Sequence, residues 1–250
     1  MLDQFNPFSL EGKTILVTGA SSGIGRSVSV MTSKMGGRVI LNGRNKEKLE
    51  QTLKLMSNGN HQICIGDLTK RDEIQSLVDS LPRLDGIVHC AGLGHSKICK
   101  QITEEDVNLV MDTNFKAPVL LQSEILQSKK LNKSASIVFI ASLAHDYPFI
   151  GNALYSASKG AIISYSNCLK LELAPRKIRV NCISPGMVWT DLLYQAGFSD
   201  DELKRDEETS LLKRYGQPED VAYLAIYLLS DASSWMTGTN ILLTGGAPRL

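Results

Sequence analysis

The sequence predicts a three-layer α/β fold, with a doubly wound parallel sheet of about seven strands and helices on both faces. Three observations predict it. Short apolar runs alternate with longer segments of helical period along the whole chain. The runs are nearly continuous in Val, Ile and Leu, as expected for strands that are covered on both faces. The chain contains no internal repeat, low-complexity tract or Pro/Gly-rich linker, so residues 1–250 are expected to form a single domain.

Seven apolar runs of five or six residues form the predicted strands. Their branched aliphatic side chains favour extended backbone, and turn-forming residues bound most of them. In chain order the runs are KTILVT (13–18), RVILN (38–42), QICIG (62–66), DGIVHC (85–90), SIVFIA (136–141), RVNCIS (179–184) and NILLT (240–244).

The segments between these runs have the apolar period of amphipathic helices. Clear examples are IGRSVSVMTSKMG after the first strand, NKEKLEQTLKLMS after the second and PEDVAYLAIYLLSD before the last. A helix between two parallel strands gives a right-handed βαβ unit, and repetition of that unit gives the doubly wound sheet.

Residues 187–214 interrupt the alternation with a long charged loop between the sixth strand and the helix that opens at Pro218. Such a loop is either a solvated excursion or a lid over a ligand crevice at the carboxyl ends of the strands. Its place after the carboxyl end of a strand favours the lid. Its apolar residues suggest a partly apolar substrate, although they could instead close the core or face another subunit. They are Met187, Trp189, Leu192, Leu193, Tyr194 and Phe198.

The formal net charge of +1 gives the chain no general attraction for nucleic acid or an anionic membrane. The four histidines lack metal-site spacing, so no metal site is expected. The opening MLDQFNPFSLEGK lacks the features of a signal peptide, and no apolar segment is long enough to span a bilayer. The five cysteines form no CxxC pair, which favours reduced, mostly buried thiols and a cytoplasmic location.

The first predicted strand runs directly into TGASSGIG at residues 18–25. Gly19, Gly23 and Gly25 would let the backbone turn sharply and approach a pyrophosphate without a Cβ in the way. The spacing is GxxxGxG, not the GxGxxG of the common dinucleotide fingerprint, but the physical demands are the same. A dinucleotide cofactor is therefore expected at this turn.

The residues that end the second strand indicate which cofactor binds. An NAD site of this kind usually has an acidic residue there for the ribose 2′-hydroxyl, but this chain has Gly43 and then Arg44. The Arg44 guanidinium can make charge-assisted bonds to a 2′-phosphate, and the hydroxyls of Ser21 and Ser22 can add to them. The sequence therefore predicts NADP(H), with a merely solvated Arg44 as the alternative.

The stretch ALYSASKGA places Tyr155 and Lys159 four residues apart. On a helix this spacing brings both side chains onto one face, one turn apart, where the ammonium stabilises the ionised phenol. Such a phenol can donate or accept a proton in catalysis. Taken alone, the pair is also compatible with an ordinary surface contact.

The glycine turn, then Ser142, then Tyr155-x-x-x-Lys159 resemble in order and separation the short-chain dehydrogenase/reductases, notably the 3-oxoacyl-[acyl-carrier-protein] reductase-like members. The resemblance covers residues 13–246. It implies a Rossmann-type fold and an enzyme that interconverts a ketone and a secondary alcohol by hydride transfer with NADP(H). It also implies a homo-oligomer, either a dimer or a tetramer.

The resemblance assigns roles to four residues. Tyr155 is the general acid in carbonyl reduction and the base in alcohol oxidation, while Lys159 tunes it and binds the nicotinamide ribose. Ser142 holds the substrate oxygen by a hydrogen bond, although by itself it could be a strand-end serine that caps local backbone. Asn114, in MDTNFKAP, orders a water that leads to the lysine.

Further residues carry over as cofactor contacts. Asp67 and Leu68 match residues near the adenine, although Asp67 could instead cap a helix beside Thr69. Asn181 is expected to be structural. The complete set of expected cofactor contacts is Gly19, Ser21, Ser22, Gly23, Ile24, Gly25, Arg44, Asp67, Leu68, Cys90, Ala91, Gly92, Tyr155, Lys159, Pro185, Gly186, Val188 and Thr190.

The chain departs from the family at residues 89–92, where HCAG replaces the common NNAG. The usual asparagine ties the fourth strand to its neighbours, so another group must do so here. Cys90 is expected to be a buried, inert thiol rather than a sensor. His95 and His145 are expected to be exposed loop residues near the crevice, with substrate contact as the alternative for each.

Two other functions remain open. A non-catalytic NADP(H)-binding regulator on the same fold would be expected to lack part of the catalytic set, which is complete here. A nucleotide-sugar epimerase or dehydratase of the extended type is disfavoured by the short chain and the glycine spacing. The substrate is left open among a carrier-bound acyl thioester, a steroid-like ketone, a sugar and a polyol.

Overall fold

The structure, a computed structural model, describes residues 6–195 and 199–246, with the backbone alone at 194 and 195. Phe198 and the side chain of Tyr194, two of the expected lid residues, lie outside the described residues. The strands of the described chain are β1 (Thr14–Val17), β2 (Arg38–Gly43), β3 (Gln62–Ile65), β4 (Leu84–His89), β5 (Leu131–Ile140), β6 (Arg179–Pro185) and β7 (Asn240–Leu243).

These strands pair into a seven-stranded sheet that is parallel throughout, in the order β3-β2-β1-β4-β5-β6-β7. The chain builds outward from β1 in one direction and then restarts at β4 in the other. The predicted Rossmann-type sheet is confirmed. The reversal between β1 and β4 opens a crevice at the carboxyl ends of these strands, the usual ligand site in such a sheet.

Helices cover both faces of the sheet. Within the described chain the α-helices are α1 (Gly23–Lys34), α2 (Lys46–Lys54), α3 (Arg71–Ser80), α4 (Glu104–Met111), α5 (Ala117–Gln127), α6 (Ala153–Leu173), α7 (Asp191–Gln195), α8 (Asp200–Thr209) and α9 (Pro218–Leu229). A π-helical turn at Asp112–Lys116 joins α4 to α5.

Alternate residues of each strand supply two separate cores. Ile15 and Val17 of β1 pack with residues of α1, α2 and α9 on one face of the sheet. Leu16, between them, packs with residues of α3, α5 and α6 on the other face. Because both faces are buried, almost every position in the central strands has to be apolar, which explains the continuous aliphatic runs.

The segment 187–214 differs from the predicted loop. Its charged run folds as α8, with Ser199 as the N-cap and Glu202 completing a capping box. Leu203 is 2% exposed, so α8 is anchored by an apolar side chain while its charges face outward. The loop prediction was wrong because the cap and the single buried leucine were overlooked in a run of charges.

The cysteine prediction also needs correction. All five cysteines are free, but Cys99 and Cys168 are exposed, and of the five only Cys182 is fully buried. Cys168 lies on the outward face of α6, and the apolar spacing around it in the sequence did not indicate that it is exposed. No helix among the described residues combines the length and apolar character that crossing a bilayer would need.

Candidate active site

A cavity of about 970 Å³ occupies the crevice at the carboxyl ends of the strands. Every expected cofactor-binding residue lines it, from the glycine turn to Thr190, and so does Ser142. Asn114 is not among the residues that line it in the described chain, although its neighbours Thr113 and Ala117 are. The structure therefore brings together residues that are up to 171 positions apart in the sequence, between Gly19 and Thr190.

The turn after β1 has a shape that only glycine permits. Gly19 has φ +65°, and a Cβ there would lie 2.9 Å from the backbone of Ala91. A Cβ on Gly25 would collide with the carbonyl of Gly19, so the turn and the start of α1 touch backbone to backbone. Gly23 has φ +48°, and a Cβ there would lie 3.2 Å from Thr190 Cγ2. These contacts explain each glycine of the motif.

The start of α1 is suited to a pyrophosphate. Ser22 is the N-cap, but its side chain makes no capping bond, and the first turn holds no acidic residue. The N–H groups of that turn and the positive end of the helix dipole therefore favour an anion. The cradle left by Gly19 and Gly25 and this polarised helix start fit a dinucleotide cofactor.

A pair of side chains that the sequence reasoning missed braces the glycine turn. Arg26 donates from Nη2 to the carbonyl of Ser21 at 2.6 Å and from Nε to Thr52 Oγ1 at 3.1 Å. Thr52 Oγ1 donates in turn to the carbonyl of Ala20 at 2.9 Å. Arg26 follows the motif directly, and that position was the available signal.

The far end of the cavity carries the predicted selector of the cofactor. Arg44 is 75% exposed, and its Nη1 lies 3.9 Å from Asp67 Oδ2. Asp67 Oδ1 accepts from the backbone N–H and the hydroxyl of Thr69. Burial raises the pKa of Asp67, but the Thr69 hydrogen bonds and the Arg44 charge outweigh it and leave the pKa below its usual range. Lys48 and Asn45, not anticipated, also line this end.

Thr18 takes over the role left open by the missing asparagine after β4. Its hydroxyl oxygen, at the end of β1, accepts from the backbone N–H groups of Cys90 (3.0 Å) and Ala91 (3.1 Å). Burial raises the pKa of the Cys90 thiol to about 12, although the Lys159 charge acts in the opposite direction. A thiol of that pKa stays protonated at neutral pH, as expected for an inert cysteine.

Tyr155 and Lys159 both lie on α6 and face the cavity. Lys159 is 7% exposed, and its Nζ donates to the carbonyl of Ile140 at 2.8 Å. The same nitrogen lies 5.6 Å from the centre of the Tyr155 ring. The ammonium is therefore fixed by the end of β5 beside the phenol, as the four-residue spacing predicts.

Asn114 lies behind the cavity wall, in the π-helical turn. Its side chain donates to the carbonyl of Leu93 and to Ser158 Oγ, and it accepts from the N–H of Leu93. It thus ties the loop after β4 to α6. A Cβ on Gly92 would lie 3.2 Å from Asn114 and 3.5 Å from Lys159 Nζ. The side chain of Asn114 therefore holds backbone in place beside the lysine.

Ser142 follows β5 and caps a short 3₁₀ turn at residues 143–145. Its Oγ accepts from the N–H of Ala144 at 3.1 Å. Ser142 therefore does cap local backbone, as the alternative interpretation of the sequence proposed. As a cap, the hydroxyl oxygen uses a lone pair to accept a hydrogen bond. The O–H hydrogen remains available to a substrate oxygen, and the capping bond fixes the position of the hydroxyl oxygen.

The segment after β6 closes the other side of the cavity. Gly186 N–H bonds to Leu243 of β7, and the N–H of Trp189 and the carbonyl of Met187 both bond to Gly216. These bonds hold Val188 and Thr190 against the cavity. The side chain of Asn181, by contrast, is 0% exposed and bonds to the backbone of Met236 and Thr239, so it is structural as expected.

The end of the cavity beyond Tyr155 has a largely apolar wall, to which both α7 and α8 contribute. Sequence reasoning identified only some of these residues, because those between Ser142 and Tyr155 carry no motif. Two acidic residues of α8, Glu202 and Asp206, also line it, and Asp206 accepts from the Tyr215 hydroxyl at 2.6 Å. The apolar wall consists of Leu143, Tyr147, Phe149, Met187, Leu192, Leu193 and Leu203.

The prediction of two exposed histidines was wrong. His95 lines the cavity, its side chain is 12% exposed, and Nε2 lies 2.9 Å from Asp106 Oδ1. Lys97 binds the second oxygen of Asp106, and this pairing is the main reason that the pKa of Asp106 lies well below its usual range. His145 is half-buried and bonds to the carbonyl of Ser142. His95 meets Asp106 eleven positions further on and His145 also meets Asn240, 95 positions further on, and the sequence pattern indicates neither pairing.

Known proteins resemble this chain along nearly its whole length. A family model described as enoyl-(acyl carrier protein) reductase matches residues 19–247. A 3-oxoacyl-[acyl-carrier-protein] reductase of Rickettsia felis is 34% identical over 242 residues, which are 95% of this chain and 97% of that protein. The corresponding reductase of Thermotoga maritima is 32% identical over 247 residues, with 95% and 98% covered.

The fold is matched as well. A short-chain dehydrogenase/reductase of Brucella melitensis, named as a glucose/ribitol dehydrogenase, superimposes with a TM-score of 0.90 at 28% identity. The match covers 98% of this chain and all of that one. With a Rossmann-type sheet, a glycine turn at its switch point and relatives that match along nearly the whole chain, this protein belongs to the short-chain dehydrogenase/reductase family of oxidoreductases.

Proposed function

We propose that this oxidoreductase uses NADPH to reduce a ketone to a secondary alcohol, or catalyses the reverse reaction with NADP⁺. One observation carries the proposal: Ser142, Tyr155 and Lys159 line the same cavity as the glycine turn at the start of α1. Groups that suit a pyrophosphate and groups that suit a carbonyl oxygen are thus joined in a single crevice.

The bound cofactor would supply the hydride, and the chain's own residues would handle the proton and the substrate oxygen. In carbonyl reduction Tyr155 donates its phenolic proton to the oxygen, and Lys159 stabilises the phenolate that remains. Ser142 donates a hydrogen bond to the same oxygen, which strengthens as negative charge develops there. Asn114 keeps the loop at Leu93 fixed to α6, so it acts on the lysine's surroundings rather than on substrate.

The choice of NADP(H) over NAD(H) rests on the charges at the adenine end. Arg44 is exposed there and Lys48 lines the same end, while β2 ends in Gly43 without a carboxylate. A 2′-phosphate would find two cations, whereas a 2′-hydroxyl would find no acidic partner on β2. Asp67 is held by Thr69, and its contact with Arg44 is long at 3.9 Å, so a 2′-phosphate could draw Arg44 away from it.

For the substrate we propose a 3-oxoacyl thioester. The apolar wall beyond Tyr155 supports it, because an acyl chain buries apolar surface there. The names of the curated relatives point the same way. The name of the Brucella protein refers to a sugar and a polyol instead, so a substrate panel should include both classes.

Replacement of Tyr155 by phenylalanine tests the proposal. Loss of the proton donor should lower kcat by about 10²- to 10⁴-fold. The affinity for NADPH should change little, because the phenol ring remains in place. The assay follows NADPH absorbance with 3-oxoacyl thioesters of increasing chain length, simple ketones, sugars and polyols, and fluorescence measures cofactor binding.

Tyr165→Phe is the matched control, since Tyr165 lies on the same helix but packs edge-on against Phe139 in the core. It should keep the wild-type rate. A wild type that binds NADPH but turns over nothing in the panel would instead favour the non-catalytic regulator.

We also propose a homo-oligomer. Trp235 is 99% exposed, Tyr223 on α9 is 58% exposed and Leu242 on β7 is 45% exposed. Large apolar side chains this exposed are more readily explained by contact with a second copy than by solvation. Light scattering on the purified chain will give the number of copies.

A further inference from the structure

The turn that carries Ser142 is held by side chains that have no place in the cavity. Ser156 Oγ donates to the carbonyl of Ala144 at 2.6 Å, and His145 Nδ1 lies 2.6 Å from the carbonyl of Ser142. Ser142 and Ala144 line the cavity, whereas His145 is not among its lining residues in the described chain. The ring of His145 therefore stands behind the turn.

The chemistry of the partners fixes the proton on this ring. A carbonyl oxygen can only accept, so Nδ1 must carry the hydrogen that it shares with Ser142. In the neutral ring Nε2 is then an acceptor, and it faces Asn240 Nδ2 at 3.4 Å. Asn240 Oδ1 accepts from Ser184 Oγ at 2.7 Å, which orients the amide with its nitrogen toward the ring.

These bonds connect three strands at the site. Ser142 follows β5, Ser184 lies in β6 and is 0% exposed, and Asn240 opens β7. The ring of His145 thus bonds to the turn through Nδ1 and to β7, the outer strand of the sheet, through Nε2. Because both of its nitrogens are engaged, it has little freedom to rotate away from the Ser142 carbonyl.

We propose that His145 is a positioning residue, which holds the Ser142 peptide through Nδ1–H and thereby fixes the hydroxyl that meets the substrate oxygen. This inference rests on the proposed function. Without the bond, the Ser142 carbonyl keeps only its bond to the His145 N–H, at 3.3 Å, and the turn can rock about its cap. A small displacement of a hydrogen-bond donor from the reacting oxygen lowers the rate without lowering cofactor affinity.

Three substitutions of His145 distinguish the hydrogen bond made by Nδ1 from the one made by Nε2. Asparagine places an amide N–H near the position of Nδ1, and glutamine reaches instead to the position of Nε2. We expect His145→Ala and His145→Gln to lower kcat about 10- to 100-fold. His145→Asn should recover most of that loss, while KM for the ketone and affinity for NADPH change much less in all three.

His61→Asn is the control for loss of a hydrogen-bonded histidine. Its ring also bonds to backbone, accepting from Val39 N–H and meeting the Ser57 carbonyl, but it does not line the cavity. It should keep the wild-type kcat. Equal rates for His145→Ala and wild type, or rescue by glutamine and not by asparagine, would overturn the assignment.

A measurement without turnover tests the hydrogen bond itself. Long-range ¹H–¹⁵N spectra of the wild type at pH 8, with His145 assigned from its loss in His145→Asn, should show the proton on Nδ1. A proton on Nε2 would overturn the proposal. A wild type inactive on the whole panel removes the proposed function together with this role, whereas an active wild type with an active His145→Ala removes this role alone.

Discussion

At the scale of single residues, the site depends on side chains whose partners are backbone groups. Lys159 binds the Ile140 carbonyl, Ser142 accepts from Ala144 N–H, and Thr18 accepts from Cys90 and Ala91. Backbone partners cannot rotate away, so each functional group is held at a fixed place. Arg44 is the exception: it is exposed, and its contact with Asp67 is long at 3.9 Å, so its guanidinium is accessible to a ligand.

Arg44→Ala should therefore change the choice of cofactor more than the rate. Loss of a charge-assisted bond to the 2′-phosphate costs about 1.5–3 kcal/mol, so NADPH should bind about 10- to 100-fold more weakly while NADH affinity stays nearly constant. Fluorescence titration with both cofactors measures the ratio. Lys46→Ala is the control, because Lys46 pairs with Glu50 on the surface of α2. An unchanged ratio in Arg44→Ala would remove Arg44 from the site.

At the scale of elements, the link from β1 to α1 sets the geometry of the cofactor end. The strand ends, the chain turns at Gly19, and α1 begins against the same backbone that it has just left. Arg26 and Thr52 then fix the carbonyls of Ser21 and Ala20, so the turn does not rely on glycine alone. These hydrogen bonds hold the turn in one conformation, although it is rich in glycine and serine.

Gly25→Ala tests this arrangement. The added Cβ would collide with the Gly19 carbonyl, and since backbone cannot yield cheaply, the turn should shift at a cost of about 1–3 kcal/mol. NADPH affinity should fall about tenfold or more, together with the melting temperature. Gly160→Ala lies in the interior of α6, where no described residue beyond its own helical turn comes within 4 Å of the new Cβ. It should melt no lower than the wild type. Wild-type NADPH affinity in Gly25→Ala would contradict the close approach.

At the scale of the whole molecule, one sheet runs through the described chain and carries a core on each face. Two segments far apart in the sequence are joined near β1, where Lys13 pairs with Asp231 at 2.6 Å and the Pro7 carbonyl accepts from Ala232 N–H. We propose that the chain is a single domain that unfolds in one transition. In the middle of the sheet lies His89, 4% exposed, stacked on Phe139 and bonded to Gln122.

The buried ring of His89 should make the whole molecule sensitive to acid. Burial lowers its pKa to about 4, although the bond to Gln122 acts in the opposite direction. In the unfolded chain the same ring takes up a proton near pH 6.5, whereas in the folded chain it stays neutral until about pH 4. Its contribution to the free energy of unfolding is therefore fully present above pH 6.5 and is lost as the pH falls toward 4. This group alone should reduce the free energy of unfolding by about 2 kcal/mol between pH 7 and pH 5.

Urea unfolding at several pH values measures this slope. The double variant His89→Phe, Gln122→Leu removes both polar partners together and should have a much smaller loss over the same range. His61→Asn, at the edge of the sheet, should lose as much free energy of unfolding over this pH range as the wild type does. A double variant with the full wild-type slope would show that other groups cause the acid sensitivity.

The sequence alone was sufficient for the strands, their parallel direction and the glycine turn that follows the first of them. Continuous aliphatic runs require two covered faces, and a glycine turn after the first strand requires the close backbone contact found at Gly19 and Gly25. The four-residue spacing of Tyr155 and Lys159 fixes their common face on any helix. All of these features are local, so they can be read from neighbouring residues.

Only the tertiary structure decided the features that depend on distant partners. Arg26 reaches Thr52, Asn114 reaches Leu93 and Ser158, and His145 reaches Asn240, 95 positions further along the chain. The burial of His95 and the exposure of Cys168 likewise depend on how the folded chain packs. A hydrogen bond across the sheet needs two groups brought together by strand order and register, and a single sequence carries no trace of that encounter.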